Sequence, residues 1–316
     1  MTSAVPVGPP ARGAAPIRFG LAGTGYWASV VHAPALASTL DVELAAVWGR
    51  NPAAAGALAA EFGATAHRDF DAFLADVDAV SFAVPPTVQS ELGVRAANAG
   101  RHLLLEKPIA LTDAAAGALA AAVAAAGVAS VVFFTSRFQP ATRSWLADVT
   151  RAGGWAGGSA VWLGSAFAAG SPFDTPWRRA HGGLWDVGPH AVGLLWAVLG
   201  PVRYVTADAG RGDLSYLVLH HDSGATSTAT LTLGAPQAAV SSRLEVWGEA
   251  GISALPGLAA DPVAALRVAL AELAANARSG DTAHPCDVAF GRQVTLVLAA
   301  AQRHLDDRRT DAGYAR

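Results

Sequence analysis

Three residues of the chain have types and spacings that suit proton chemistry. Asp186 and His190 lie four apart, so on one helix they would share a face. A carboxylate there can hold an imidazole or a sugar hydroxyl, and histidine titrates near neutral pH, which suits acid–base work. Lys107 follows the apolar run His102 to Glu106, and Pro108 stiffens the turn after it. A lysine beside a cofactor can relay a proton or hold an oxyanion. Singly, each has an ordinary reading: lysines are mostly solvated, and a histidine in an apolar helix is mostly a satisfied core group. The three together, beside a nucleotide site, read as catalytic.

The first turn of the chain offers such a nucleotide site. Gly23-Thr24-Gly25-Tyr26-Trp27-Ala28 fits G-x-G-x-x-G/A between a short apolar strand and a helix. The first glycine permits the tight turn, the second lets a pyrophosphate approach the backbone, and Ala28 is small enough for close helix–strand packing. The helix N-terminus favours the phosphate charge. The other reading is a glycine turn without a ligand. An NAD-preferring site usually places Asp or Glu at the end of the second strand to hold the ribose 2′-hydroxyl. Here the strand ends Val47-Trp48-Gly49-Arg50-Asn51, and Asp41 and Glu43 lie at its wrong end. Arg50 stands where a guanidinium can meet a 2′-phosphate, which favours NADP with NAD still open; stacking on adenine or plain solvation is the alternative.

The elements that must position these residues follow from hydrophobic patterning. Strands are predicted at Ile17–Ala22, Val42–Trp48, Asp78–Val84, His102–Glu106 and Val128–Phe134. Helices alternate with them: one after the glycine turn, one from the Asn51-Pro52 cap to Gly63, one over Glu91–Ala99 with Gly100 as C-cap, and an Ala-rich one before Gly127. Strand, helix, strand means a doubly wound parallel sheet covered on both faces. Beyond residue 136 the pattern changes to a helix over Pro140–Val149. Extended runs follow at Gly158–Ala168, Val202–Asp208, Leu214–His221, Ala225–Leu233 and Ser241–Trp247, which suit a mostly antiparallel sheet. Helices are predicted at Pro262–Ala277 and Asp287–Leu305. The expected division is a tail over 1–15, a dinucleotide-binding α/β domain over 16–135 and a substrate-binding and oligomerisation domain over 136–316. With no long linker, the two domains should be closely joined.

Composition narrows the function classes. The chain has 316 residues, 52% hydrophobic and 15% charged, with net charge −3. That is enough apolar surface for a real core, and nothing drives binding to a polyanion, so nucleic acid is not expected as a ligand. The uncharged stretch Ala114 to Phe134 has the length of a membrane span, but Gly127 divides it into a helix and a buried strand. Residues 1–15 have no apolar core of a signal peptide. The single cysteine, Cys286, excludes an internal disulfide framework, so a cytoplasmic protein is expected. The histidines show no metal-ligand spacing, and His220 and His221 should point to opposite faces of a strand. No metal and no membrane partner are expected. Trp162, Phe167, Phe173, Trp177 and Trp185 could line a sugar cleft or belong to core or interface.

The glycine turn, Glu106-Lys107-Pro108 and the run His181 to His190 resemble three motifs of the Gfo/Idh/MocA oxidoreductases, in the family's order. The last two correspond to its E-K-P and G-G-x-x-x-D-x-G-x-H motifs. The resemblance implies a Rossmann domain, an α/β domain with a large, mostly antiparallel sheet, and an active site between them. It implies that Glu106 and Lys107 lie beside the cofactor and that the Lys107 amine reaches the reacting hydroxyl. It matches Asp186 and His190 to the motif's acidic residue and histidine, with His190 or Lys107 as the acid/base, turns Trp177 and Arg178 to the substrate, and brings Pro85, Pro86 and Thr87 near the nicotinamide ribose. Relatives often have histidine where this chain has Gln89 and aspartate where it has Gly193. Both departures bear on substrate contacts. The implied activity is NAD(P)-dependent interconversion of an alcohol and a carbonyl on a sugar, polyol or related small molecule. A non-catalytic NADP-binding sensor of the same fold is the alternative, which the intact Lys107, Asp186 and His190 set disfavours. The resemblance also implies a homodimer or dimer of dimers formed through the open face of the second sheet, which the alternating strand Ala225–Leu233 suits.

Overall fold

The computed structural model describes residues 15–257 and 261–313. The tail expected over residues 1–15 therefore falls outside the described residues, Ala15 excepted. The first sheet is built from β1 (Ile17–Ala22), β2 (Val42–Trp48), β3 (Thr65–His67), β4 (Ala79–Phe82), β5 (His102–Glu106) and β6 (Ser130–Phe133). Its order is β3-β2-β1-β4-β5-β6, and every pair is parallel. The connecting helices are α1 (Ala33–Ser38), α2 (Pro52–Phe62), α3 (Phe70–Ala75), α4 (Pro86–Asn98) and α5 (Asp113–Ala126).

Local chemistry sets most of these limits. The side chain of Asn51 accepts hydrogen bonds from the backbone N–H groups of Ala53 and Ala54 at 3.0 and 3.2 Å, and Gly63 closes the same helix at φ 70°. Thr112 caps α5 through Ala115 N, and Gly127 ends it at φ 63°. Three features differ from the sequence expectation. Pro85-Pro86 does not merely stop a strand: Pro86 opens α4, because its missing N–H costs nothing in a first turn. The helix after the glycine turn begins with a π-helical turn, Ala28–His32, before α1. The pair β3 and α3 was not anticipated, because β3 has only three residues and no apolar alternation.

The second sheet has the order β12-β11-β7-β10-β9-β8. It comprises β7 (Trp155–Leu163), β8 (Val202–Ala209), β9 (Ser215–His221), β10 (Thr226–Thr232), β11 (Ser241–Gly248) and the unanticipated β12 (Gly251–Ala254). Only β7 with β10 is parallel. The remaining helices are α6 (Pro140–Ala152), α7 (Pro176–Asp186), α8 (Gly188–Leu199), α9 (Pro262–Ser279) and α10 (Val288–Gly313).

The two sheets are tied together closely. α9 follows the second sheet in sequence but packs against α1, β5 and β6 of the first, and α10 packs on both α5 and β8. The N–H of Val132 in β6 donates to the carbonyl of Cys286 at 2.6 Å, and Arg292 pairs with Asp113. One face of the second sheet is covered by α8 and α10; the other is open. His221 points into the covered side, bonded to Gly200 O and Ser227, while His220 stacks on Tyr204 at 4.1 Å on the open side. No helix among the described residues is long and apolar enough to cross a membrane.

Candidate active site

β1 is flanked by β2 on one side and β4 on the other, which makes its C-terminal end the switch point where an open α/β sheet forms a crevice. The glycine turn sits there. Gly23 has φ 136°, and a Cβ on it would stand 2.3 Å from the carbonyl oxygen of Ala83. A Cβ on Gly25 would meet no atom within 4 Å, so its backbone faces open space. The turn therefore leaves the cradle that a pyrophosphate requires. The side chain of Thr24 packs against Gly49, which admits no side chain of its own.

From this turn a cleft of about 830 Å³ runs between the two sheets. It is lined by Gly25, Tyr26, Trp27 and Arg50, by Pro85 and Pro86, by Glu106 and Lys107, and by Trp177, Arg178, Asp186 and His190. These include most of the residues singled out in the sequence. Gly23 and Thr24 support the turn from behind, and Thr87 is exposed in the first turn of α4, outside the lining. Phe173, on the loop between β7 and α7, closes the cleft against Tyr26 and Trp27, with ring centroids 5.6 and 6.1 Å apart. Among the other aromatic candidates, Trp162 stacks on His190 at 6.4 Å and Trp177 lines the cleft. Trp185 is core, donating to Gln302, and Phe167 lies under Arg179.

Lys107 and Asp186 meet although 79 positions separate them. The Lys107 ammonium donates to the Asp186 carbonyl at 2.6 Å and to its Oδ1 at 3.0 Å. Arg178 Nε donates to the other carboxylate oxygen, Oδ2, at 2.9 Å. The two cations outweigh burial and hold the Asp186 carboxyl below the usual carboxylate range. Asp186 and His190 do not belong to one helix. Val187 separates α7 from α8 between them, and Pro189 cannot donate within a continuous helix; Gly182, at φ 61° and ψ −162°, breaks α7 further upstream, between Arg178 and Asp186. Asp186 makes no hydrogen bond to His190 among the described residues. Burial pushes the His190 imidazole down to about 3; the Lys107 charge adds to this, and the Asp186 carboxylate opposes it only in part. His190 is thus a neutral imidazole at ordinary pH, and its Nδ1 is buried without a hydrogen-bond partner.

Two supporting residues escaped the sequence reading of the site. Gln89, fully buried, braces the Lys107-bearing turn from α4. Its amide donates to Glu106 O at 2.7 Å and to Pro108 O, and its carbonyl oxygen accepts from Glu106 N at 2.8 Å. The Lys107–Pro108 peptide is cis. In the sequence Gln89 stands out only as a departure from a family pattern. Asp213, between β8 and β9, accepts from the backbone N–H of Gly183, Leu233 and Gly234 and so pins the break in α7 to the end of β10. Nothing local in its surroundings marks that role.

The chain was compared with known proteins. Residues 17–134 match the GFO/IDH/MocA group described as "Oxidoreductase family, NAD-binding Rossmann fold", and residues 156–253 match "GFO/IDH/MocA C-terminal domain". D-xylose 1-dehydrogenase (NADP(+)) 2 of Haloferax volcanii is 30% identical over 233 residues, 69% of this chain and 70% of that protein. The chain belongs to the Gfo/Idh/MocA oxidoreductase family. Another relative within it, inositol 2-dehydrogenase of Rhizobium meliloti, is 37% identical over 126 residues, which span 39% of this chain and 38% of that protein. The fold matches the crystal structure of GenD2 from gentamicin A biosynthesis in complex with NAD, with a TM-score of 0.80 at 22% identity over 96% of this chain and 98% of that one. The Gfo/Idh/MocA architecture of a parallel nucleotide-binding sheet joined to a mostly antiparallel one is therefore present in full.

The buried pair predicts a pH dependence of stability. His190 has its pKa lowered on folding, so the unfolded chain binds more protons than the folded one below the ordinary histidine value. Its contribution is complete above about pH 6.5 and is lost as pH falls toward about 3. Asp186 acts in the same sense below the ordinary carboxylate range. Urea unfolding between about pH 6.5 and pH 4 should show stability falling with acid, with His190 supplying up to about 1.4 kcal/mol per pH unit. His190→Phe should flatten the curve by about one proton; an unchanged slope would show that His190 titrates normally.

Proposed function

We propose that the chain is an NADP-dependent dehydrogenase or reductase that interconverts an alcohol and a carbonyl on a sugar, polyol or related small molecule. The observation that carries this reading is the meeting of Lys107, Asp186 and His190 in one cleft that begins at the glycine turn. The names of the inositol and xylose dehydrogenases support it. The cradle at Gly23 and Gly25 fits a dinucleotide, whose pyrophosphate would lie at the turn and whose 2′-phosphate would meet Arg50. When bound, the cofactor supplies the hydride acceptor or donor.

The chain's own residues account for the proton. In the oxidation direction the neutral His190 is in the correct state to accept the hydroxyl proton. Lys107, with two of its three N–H groups on Asp186, turns the third to the substrate oxygen and stabilises the charge that develops there. Asp186 holds Lys107 in place rather than binding His190 directly. The Phe173 ring, set edge-on to Tyr26 and Trp27, narrows the cleft on that side. Titration with NADPH followed by a turnover screen tests the reading. Tight binding without turnover across polyols, sugars and keto-compounds would instead indicate a sensor.

A homodimer, or a dimer of dimers, is part of the same proposal. The open face of the second sheet carries a threonine row, Thr226, Thr228 and Thr230, with the exposed rings of Tyr204, Tyr216 and Trp247 around it. A flat surface of this kind suits isologous pairing. Light scattering at micromolar concentration should give at least twice the chain mass; a monomer mass would refute it.

A further inference from the structure

The polar groups at the reacting end of the cleft are unevenly matched, and the imbalance concerns the ligand. Two carboxylates line the cleft, and neither has an oxygen without a protein donor. Glu106 Oε1 accepts from Trp27 Nε1 at 2.7 Å and, with the proton of His32 assigned to Nε2, from His32 at 3.1 Å. Glu106 Oε2 accepts from the N–H of Lys107. Asp186 Oδ1 is held by Lys107 and Oδ2 by Arg178. A neutral polyol brings a hydroxyl proton for every oxygen and is best received by free carboxylates. Here every carboxylate oxygen already accepts from the protein, which leaves at most one further lone pair on each, beside the His190 imidazole, for a hydroxyl.

Donors, by contrast, are in surplus. Lys107 has an N–H group beyond the two that Asp186 takes. Arg178 uses Nε for Asp186, and one Nη donates to the carbonyl of Phe173 at 3.4 Å. The guanidinium lies 5.3 Å from the Phe173 ring centroid and 5.9 Å from that of Trp177, with its side chain 23% exposed in the cleft wall. Lys107 and Arg178 balance Glu106 and Asp186 in charge, but every carboxylate oxygen is already engaged while both cations keep N–H groups to offer, and the aromatic walls lower the local dielectric, which strengthens their pull on an anion.

We infer that the substrate carries an anionic group, a carboxylate or a phosphate, close to its reacting carbon, and that Arg178 receives it. The inference rests on the dehydrogenase reading for the position of the reacting carbon but concerns binding, so it is tested without turnover.

The experiment is ligand-detected NMR or calorimetry on the full-length protein saturated with NADP⁺, using matched pairs. Gluconate is set against glucitol, galacturonate against galactose, and glucose 6-phosphate against glucose. At least one acid member should bind tenfold or more tighter than its neutral partner, and the preference should weaken as salt is raised. A preference for the sugar acids identifies a carboxylate, and one for the sugar phosphate a phosphate. Arg178→Met should abolish the preference and Arg178→Lys should keep part of it, with thermal unfolding confirming that both variants fold. Equal or tighter binding of the neutral members, binding of none of the anions, or an anion preference unchanged in Arg178→Met would each overturn the inference. An anion preference without redox turnover would support it while counting against the dehydrogenase reading, so the two fail separately.

Discussion

Lys107→Met and His190→Ala are each expected to lower turnover roughly a hundredfold or more while leaving the NADPH dissociation constant within a few-fold of wild type. The expectation follows from where the two groups stand. Both line the cleft, yet neither belongs to the glycine turn that would hold the pyrophosphate. A hundredfold corresponds to about 2.7 kcal/mol of transition-state stabilisation, the scale of a positioned acid–base group or an oxyanion donor. Methionine keeps most of the apolar stem of Lys107 and removes the ammonium with its N–H donors, while Asp186 retains Arg178 as a partner. The pH profile separates the two roles. His190 is neutral down to about 3, so the wild-type rate should show no inflection near the ordinary histidine value. If His190→Ala kept near-full turnover with the same profile, the histidine would be a bystander and Lys107 the better base.

Arg50→Ala is expected to weaken NADPH roughly ten- to a hundredfold while changing NADH far less. Arg50 is exposed at the end of β2, lines the cleft and forms no ion pair among the described residues, so its charge is available to a ligand. No carboxylate follows β2 to hold a ribose 2′-hydroxyl, since the next residues are Gly49, Arg50 and Asn51. A charge-assisted hydrogen bond to a 2′-phosphate is worth about 1.5–3 kcal/mol, and NADH has nothing to receive it. Fluorescence titration of both cofactors checks this. An equal loss for the two would show that Arg50 stacks on the adenine instead.

Much of this arrangement was legible in the sequence, for identifiable reasons. β1, β2 and β5 run over the residues expected because the buried part of each is an apolar run with sharp ends. The alternation of Thr226–Thr232 gave away a sheet with one covered and one open face. Lys107, Asp186 and His190 stand out in the sequence as candidates because their types and motif spacing are unusual. Their partners do not. That Asp186 serves Lys107 and Arg178 rather than His190 depends on contacts between two domains and on the break at Gly182, which a four-residue spacing does not encode. The closing ring of Phe173 lies on a loop whose path no periodicity describes. The braces at Gln89 and Asp213 are single side chains bonded to distant backbone, invisible to any local pattern.

The most direct test of hydride transfer in this cleft is the fate of an isotopic label. Polyols, sugars and sugar acids bearing deuterium on their carbinol carbons are incubated with the protein and NADP⁺, and the nicotinamide is examined by NMR. With wild-type protein, deuterium should appear at C4 of the nicotinamide, on one face only, and Lys107→Met should lower the rate roughly a hundredfold or more. NADPH binding with no label transferred from any member of the panel, or transfer undiminished in Lys107→Met, would contradict this expectation.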